Sequence, residues 1–118
     1  MPDAPLRAYF VWVPMLPYDS EAAASAASER FAEPRAQHYW DRDRRLSRRI
    51  ASALGIGPGE SMADGKIGLA WDVYLAYRKR AKEMEKPHFW MHQLRVKHAP
   101  PLDAGEWRRR VGHLVVTT

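Results

Sequence analysis

The sequence contains no cysteine. That removes disulfides, thiolate metal sites and thiol-based catalysis together. No apolar run approaches the ~20 residues that a membrane span requires. The opening Met1-Pro2-Asp3-Ala4-Pro5 lacks the basic segment and long apolar stretch of a secretory signal, so a cytoplasmic location is expected. Repeats and low-complexity tracts are also missing, the nearest being Ala22-Ala23-Ala24-Ser25-Ala26-Ala27, which reads as the small-residue face of a helix. None of Ser20, Ser25, Ser28, Ser47, Ser52 and Ser61 sits in a Gly-x-Ser-x-Gly elbow. Gly55-Ile56-Gly57-Pro58-Gly59 follows a helical pattern and lacks the Lys-Ser/Thr of a phosphate loop, which makes it a linker.

What is present suits one globular domain, 1–118, with short tails at 1–6 and 116–118. The 118 residues are 46% hydrophobic and 28% charged, enough apolar material for a packed core. Nineteen Lys and Arg against 14 Asp and Glu give a net charge of +5.

Ala8-Tyr9-Phe10-Val11-Trp12-Val13 is β-branched and aromatic, apolar on alternate residues of both parities, and stopped by Pro14 and Pro17. It predicts a strand covered on both faces. Asp19-Ser20 offers a cap, and Glu21 favours the positive end of a helix running to about Phe31. Arg35 to Trp40 predicts a second strand. Asp41 and Asp43 compete to cap a second helix, whose Leu46, Ile50 and Leu54 form one stripe and whose end falls at Gly55. Gly55 to Gly68 predicts a flexible loop. Leu69 to Tyr77 and Phe89 to Leu94 read as an antiparallel hairpin with a charged tip, Arg78 to Lys86. Asp103 caps a last helix, Ala104 to about Leu114, with Trp107, Val111 and Leu114 on one face. The order strand-helix-strand-helix-strand-strand-helix predicts an α/β fold with a mixed sheet.

Trp40-Asp41-Arg42-Asp43-Arg44-Arg45-Leu46 resembles the "D-P-D-G-R-V" turn of thioredoxin-like proteins of the peroxiredoxin-like branch. Val11-Trp12-Val13-Pro14-Met15-Leu16, Ala70-Trp71-Asp72-Val73-Tyr74 and Phe89-Trp90-Met91-His92-Gln93-Leu94 resemble small bacterial thioredoxin-like proteins. The resemblance implies a three-layer sheet sandwiched by helices and covers the chain from about Arg7. Two departures accompany it. The Cys-x-x-Cys strand and helix that normally open the family are missing, as in an N-terminally truncated domain, and Leu69 stands where the family carries a cis-proline. Thiol–disulfide exchange therefore does not carry over. The missing strand leaves a gap that a second copy of the chain could fill, so a homodimer is expected, with Phe10, Trp12, Trp71 and Trp90 as interface anchors.

Asp72 falls mid-strand, where an unpaired charge is costly. A symmetric hairpin puts it opposite or diagonal to His92, as a carboxylate–imidazole pair for acid–base chemistry or as a structural hydrogen bond. His88, Met91 and His92, with His38 and His98 elsewhere, carry imidazole and thioether groups that suit soft metals. On an extended strand, however, His88 and His92 lie about 13 Å apart. Basic sets at Arg42, Arg44, Arg45, Arg48, Arg49, at Arg78, Lys79, Arg80, Lys82 and at Arg108, Arg109, Arg110 could meet phosphates, with Tyr39, Trp40 and Trp107 to stack on bases. Acids interleave every set, as on a solvated helix face. The expected function is a non-catalytic, self-associating thioredoxin-like domain acting through protein contacts and needing no cofactor. The alternatives are part of a thiol–disulfide redox protein and a basic nucleic-acid-binding module.

Overall fold

The computed structural model describes residues 5–15, 19–30, 33–57, 63–64, 67–93 and 100–117. It is a mixed α/β structure with three helices among the described residues. Two compact units divide the chain, Met1–Ser47 and Arg48–Thr118.

The first unit is a strand–helix–strand crossover. β1 (Ala8–Trp12) and β2 (Ala36–Trp40) pair in parallel, with Phe10 beside His38 and Trp12 beside Trp40. Between them runs α1 (Glu21–Arg30). The Ser20 hydroxyl accepts from the Ala23 amide at 3.0 Å, and Glu21 occupies the first turn. This is the expected N-cap with its favourable acidic residue. Asp19 does a different job, closing the preceding loop by accepting from the Met15 amide at 2.8 Å. Phe31, the expected helix end, lies outside the described residues.

A tight turn leads into α2 (Arg45–Leu54). Arg44 adopts φ 59°, its amide donating to the Asp41 carbonyl. From there the Asp41 carboxylate reaches forward to the amides of Leu46 (3.4 Å) and Ser47 (2.9 Å). Of the two competing aspartates, Asp41 is the cap. The helix ends as expected at Gly55, φ 73°, with Ile56 donating to the Ala51 carbonyl at 2.8 Å. Ala51 and Ile56 also pack together, completing a glycine-terminated helix end.

The second unit is built on an antiparallel hairpin, β5 (Val73–Ala76) and β6 (Phe89–His92). Two short strands precede it, β3 (Ala63–Asp64) and β4 (Ile67–Gly68), where a flexible loop was expected. α3 (Ala104–Thr117) closes the chain. Asp103 caps it by accepting from the Glu106 amide at 3.0 Å. The helix includes Val116 and Thr117, so the expected tail at 116–118 is helical over those two residues.

Alternation along β6 splits the unit's apolar side chains into two clusters. Phe89 and Met91 face Ala76 and Leu114, with Leu102, Trp107 and Val111 packed around them. Trp90 faces the other way, onto the Ala51 and Ile56 cluster, against which Leu54, Ala70 and Val73 also pack. A strand with helices on both faces needs an apolar run rather than an alternating pattern, and Phe89-Trp90-Met91 provides it. The edge of β6 away from β5 is met by Pro101, with Leu102 donating to the His92 carbonyl at 2.7 Å.

Two expectations are corrected. The described strands form three separate two-stranded ladders, not one mixed sheet. β1 is also not covered on both faces, since four of its five residues are exposed. Its hydrophobicity is real, but no helix or sheet among the described residues lies over both sides of it.

Candidate interaction surface

Parallel register puts Phe10, Trp12, His38 and Trp40 on one face of the β1–β2 ribbon, and Tyr9, Val11, Gln37 and Tyr39 on the other. The first face is partly sheltered. Its rings form a stack, with His38 flat against Phe10 (4.8 Å between centroids, 11° between planes) and 6.1 Å from Trp12. The Trp12 indole N–H donates to His38 Nδ1 at 3.1 Å. That leaves the ring proton of a neutral His38 on Nε2, a buried atom with no hydrogen-bond partner among the described residues. An orphaned buried donor costs roughly 1–3 kcal/mol. A ring so engaged has no lone pair to offer a substrate or a metal, so His38 is a packing element of the stack.

The second face is open. Tyr9 is 59% exposed, Tyr39 51% and Val11 38%. Tyr9 and Tyr39 stack at 6.4 Å, and the Tyr39 hydroxyl donates to Gln37 at 2.6 Å, which holds the rings flat along the ribbon. Neither outer edge of the ribbon is paired with another strand among the described residues. Parallel sheets are normally covered on both faces, and a two-stranded ribbon is marginal by itself.

The four expected anchors separate. Phe10 and Trp12 belong to this ribbon. Trp90 belongs to the core of the second unit. Trp71 is half-buried in the segment leading into β5. Tyr9, Val11 and Tyr39 are the exposed residues that sequence reasoning missed. The available signal was that Ala8 to Val13 is apolar at both parities, but it was assigned to burial.

Asp72 and His92 are not brought together as an acid–base pair. The hairpin register pairs His92 with Val73, and Asp72 sits just outside β5 at φ 54°, exposed. Aspartate tolerates this left-handed conformation better than most residues, and it turns the carboxylate to water. The Asp72 carbonyl accepts from the Gln93 amide at 3.0 Å, so Asp72 lies across from Gln93 and one position off His92 in the ladder. The negative charge is felt instead by Tyr74, whose phenol is pushed above its ordinary pKa first by burial and then by Asp72.

His88, Met91 and His92 also diverge. Met91 is buried against α3, His92 lies on the opposite face beside Trp90, and His88 is exposed ahead of the strand. No group of three metal-capable side chains of the His, Cys, Asp and Glu types occurs among the described residues. The histidine His98 lies outside them. In the basic sets, Arg42 pairs with Glu21 at 3.0 Å, Arg49 with Glu85 and Arg109 with Glu106, and Lys86, beyond the second set, pairs with Glu83. Arg44 donates to the Pro14 carbonyl at 2.9 Å. Interleaved acids thus take up many of the cations locally. No described helix is long and apolar enough to cross a membrane.

No protein-family model, curated protein or solved structure matches the chain.

Proposed function

We propose that this chain is a non-catalytic interaction domain that pairs with a second copy of itself through the β1–β2 ribbon. The observation that carries the reading is the exposure of Tyr9, Val11 and Tyr39 on a ribbon whose outer edges pair with no other strand among the described residues. Removing such side chains from water stabilises by about 1.5–3 kcal/mol for each one fully buried. An isologous twofold contact would do this on both copies at once with the same patch. The thioredoxin-like scaffold is part of the proposal. What supports it is the order of a parallel strand–helix–strand unit, a second helix and, after the short β3–β4 pair, a hairpin and a closing helix. In that scheme the second copy covers the exposed face and edges of the β1–β2 ribbon. Thiol exchange has no place in a chain without cysteine.

Size-exclusion chromatography with light scattering tests the reading. The mass is expected near twice the chain's 13.6 kDa at high concentration, falling toward the single-chain value on dilution. Val11→Lys places a charge in the patch and is expected to give a monomer with unchanged helix content. A wild-type chain that stays monomeric at the highest attainable concentration defeats the proposal. So does a dimer that Val11→Lys and Tyr39→Lys leave intact.

A further inference from the structure

On α3, Arg109, Arg110 and His113 share a face, adjacent to the Trp107, Val111 and Leu114 stripe that enters the core. With His88 and Phe89 at the start of β6 they line a cleft of about 160 Å³. Phe89 is the floor, buried and held edge-on by Trp107 at 5.1 Å. The Arg110 guanidinium lies 4.1 Å from the centre of its ring. Stacking on an aromatic face fixes a guanidinium and leaves its N–H edges free to bind. Arg110 forms no ion pair among the described residues. Arg109 is held by Glu106 through two contacts, at 2.9 and 2.6 Å, so its position is set although part of its charge is answered. On the other wall, His88 Nδ1 accepts from Arg78 Nε at 3.1 Å, which leaves a neutral His88 with its N–H on Nε2. Among the described residues no carboxylate lines the cleft, although that of Glu106 is bound to Arg109.

A solvated basic helix face would show mobile cations separated by acids. Here Arg109 keeps that character, exposed and answered by Glu106, but Arg110 is held on Phe89 and His88 by Arg78, and these groups from two elements line one cleft. A carboxylate would be satisfied by one guanidinium. Several donor groups from different directions match a tetrahedral oxyanion instead. We propose that this cleft binds the terminal phosphoryl group of a small phosphomonoester, with Arg110 as the principal ligand and Arg109, His88 and His113 completing the cradle. The consecutive Arg108, Arg109 and Arg110 point in different directions around the helix, so this is a point site and not a track along a nucleic-acid backbone.

The test is titration of the full chain at low ionic strength with inorganic phosphate and with phenyl phosphate, followed by calorimetry and amide NMR. A saturable one-to-one isotherm is expected, with shifts centred on His88, Phe89 and 109–113. Arg110→Gln is expected to weaken binding about tenfold. Arg110→Lys is expected to weaken it nearly as much, because an ammonium lacks the planar fork. Arg109→Gln, which leaves Phe89 covered, serves if Arg110 variants lose their native melting transition. Arg42→Gln, in the first unit, is expected to change nothing. The proposal is overturned by non-saturating shifts, by Arg110→Lys binding like wild type, or by equal losses in Arg42→Gln. Tighter binding to a single-stranded oligonucleotide than to phenyl phosphate, lost evenly across all basic sets, also overturns it in favour of a nucleic-acid surface.

Discussion

Gly68→Ala and Gly112→Ala are the same chemical change with opposite expected outcomes. A methyl built on Gly68 would lie 2.1 Å from the Ile56 carbonyl oxygen and 3.0 Å from its carbon, with the Gly57 carbon at 3.1 Å. An ordinary C···O approach is about 3.3 Å, so the backbones must part by about 1 Å. No side-chain rotation can relieve this, because the obstacle is main chain. Ile56 cannot yield freely either. Its amide caps α2 through Ala51, and its side chain is 3% exposed within the cluster that includes Trp90. Displacing it forfeits most of one buried isoleucine, about 2 kcal/mol, and weakens one hydrogen bond worth about 1 kcal/mol. The loss of about 3 kcal/mol lowers the melting temperature by roughly 10–20 °C for a unit of this size. At Gly112, inside α3, a methyl meets nothing within 4 Å. There alanine relieves the helix penalty of glycine and stabilises by about 0.5–1 kcal/mol. Thermal and urea unfolding followed by circular dichroism measure both. If Gly68→Ala melts within ~2 °C of wild type, the close approach of β4 to Ile56 is not what holds this region together; if Gly112→Ala melts lower, the space beside that turn of α3 is not open.

Other outcomes follow from the same packing. Met91→Ala empties a site that is 1% exposed between α3 and the hairpin, and should cost about 2–5 kcal/mol by urea denaturation, with faster amide exchange in α3. Asp41→Ala frees the Leu46 and Ser47 amides and should cost about 1 kcal/mol; Asp43→Ala, whose carboxylate does not cap α2, should cost little. Glu106 should titrate below the ordinary glutamate range, because the Arg109 guanidinium hydrogen-bonds its carboxylate. A carboxyl with a depressed folded pKa adds stability above its unfolded value. That contribution disappears as pH falls through the folded value, so the Glu106–Arg109 contribution is lost only in acid below the ordinary range. Carboxyl NMR should show the Glu106 midpoint rising in Arg109→Gln. An unchanged midpoint would mean the pair does not persist in solution.

Local chemistry made much of the fold legible. Ser20, Asp103 and Gly55 marked helix boundaries because a side-chain oxygen or a glycine at those positions satisfies end groups that the helix itself cannot. The β5–β6 hairpin followed from two apolar runs around a charged tip. Its strands are shorter than expected, since Asp72 adopts a left-handed conformation that ends the ladder, and Leu94 lies outside the described residues. The β3–β4 pair was hidden among glycines, although Asp64-Gly65 is a hairpin signal in its own right.

Sequence by itself determined the α/β class, the helix starts at Ser20 and Asp103, the helix stop at Gly55, the parallel pairing of β1 with β2 and the exclusion of thiol chemistry. These depend on residue identity and on neighbours a few positions away. Only tertiary structure decided that Phe89 and Met91 enter one core and Trp90 another, that Tyr9, Val11 and Tyr39 face water, that Asp72 and His92 stay apart, and that His88 and Arg110 converge on one cleft. An apolar residue reads the same in sequence whether a helix lies over it or not. Burial depends on the distant segment that covers it, and the identity of one residue carries no record of that segment.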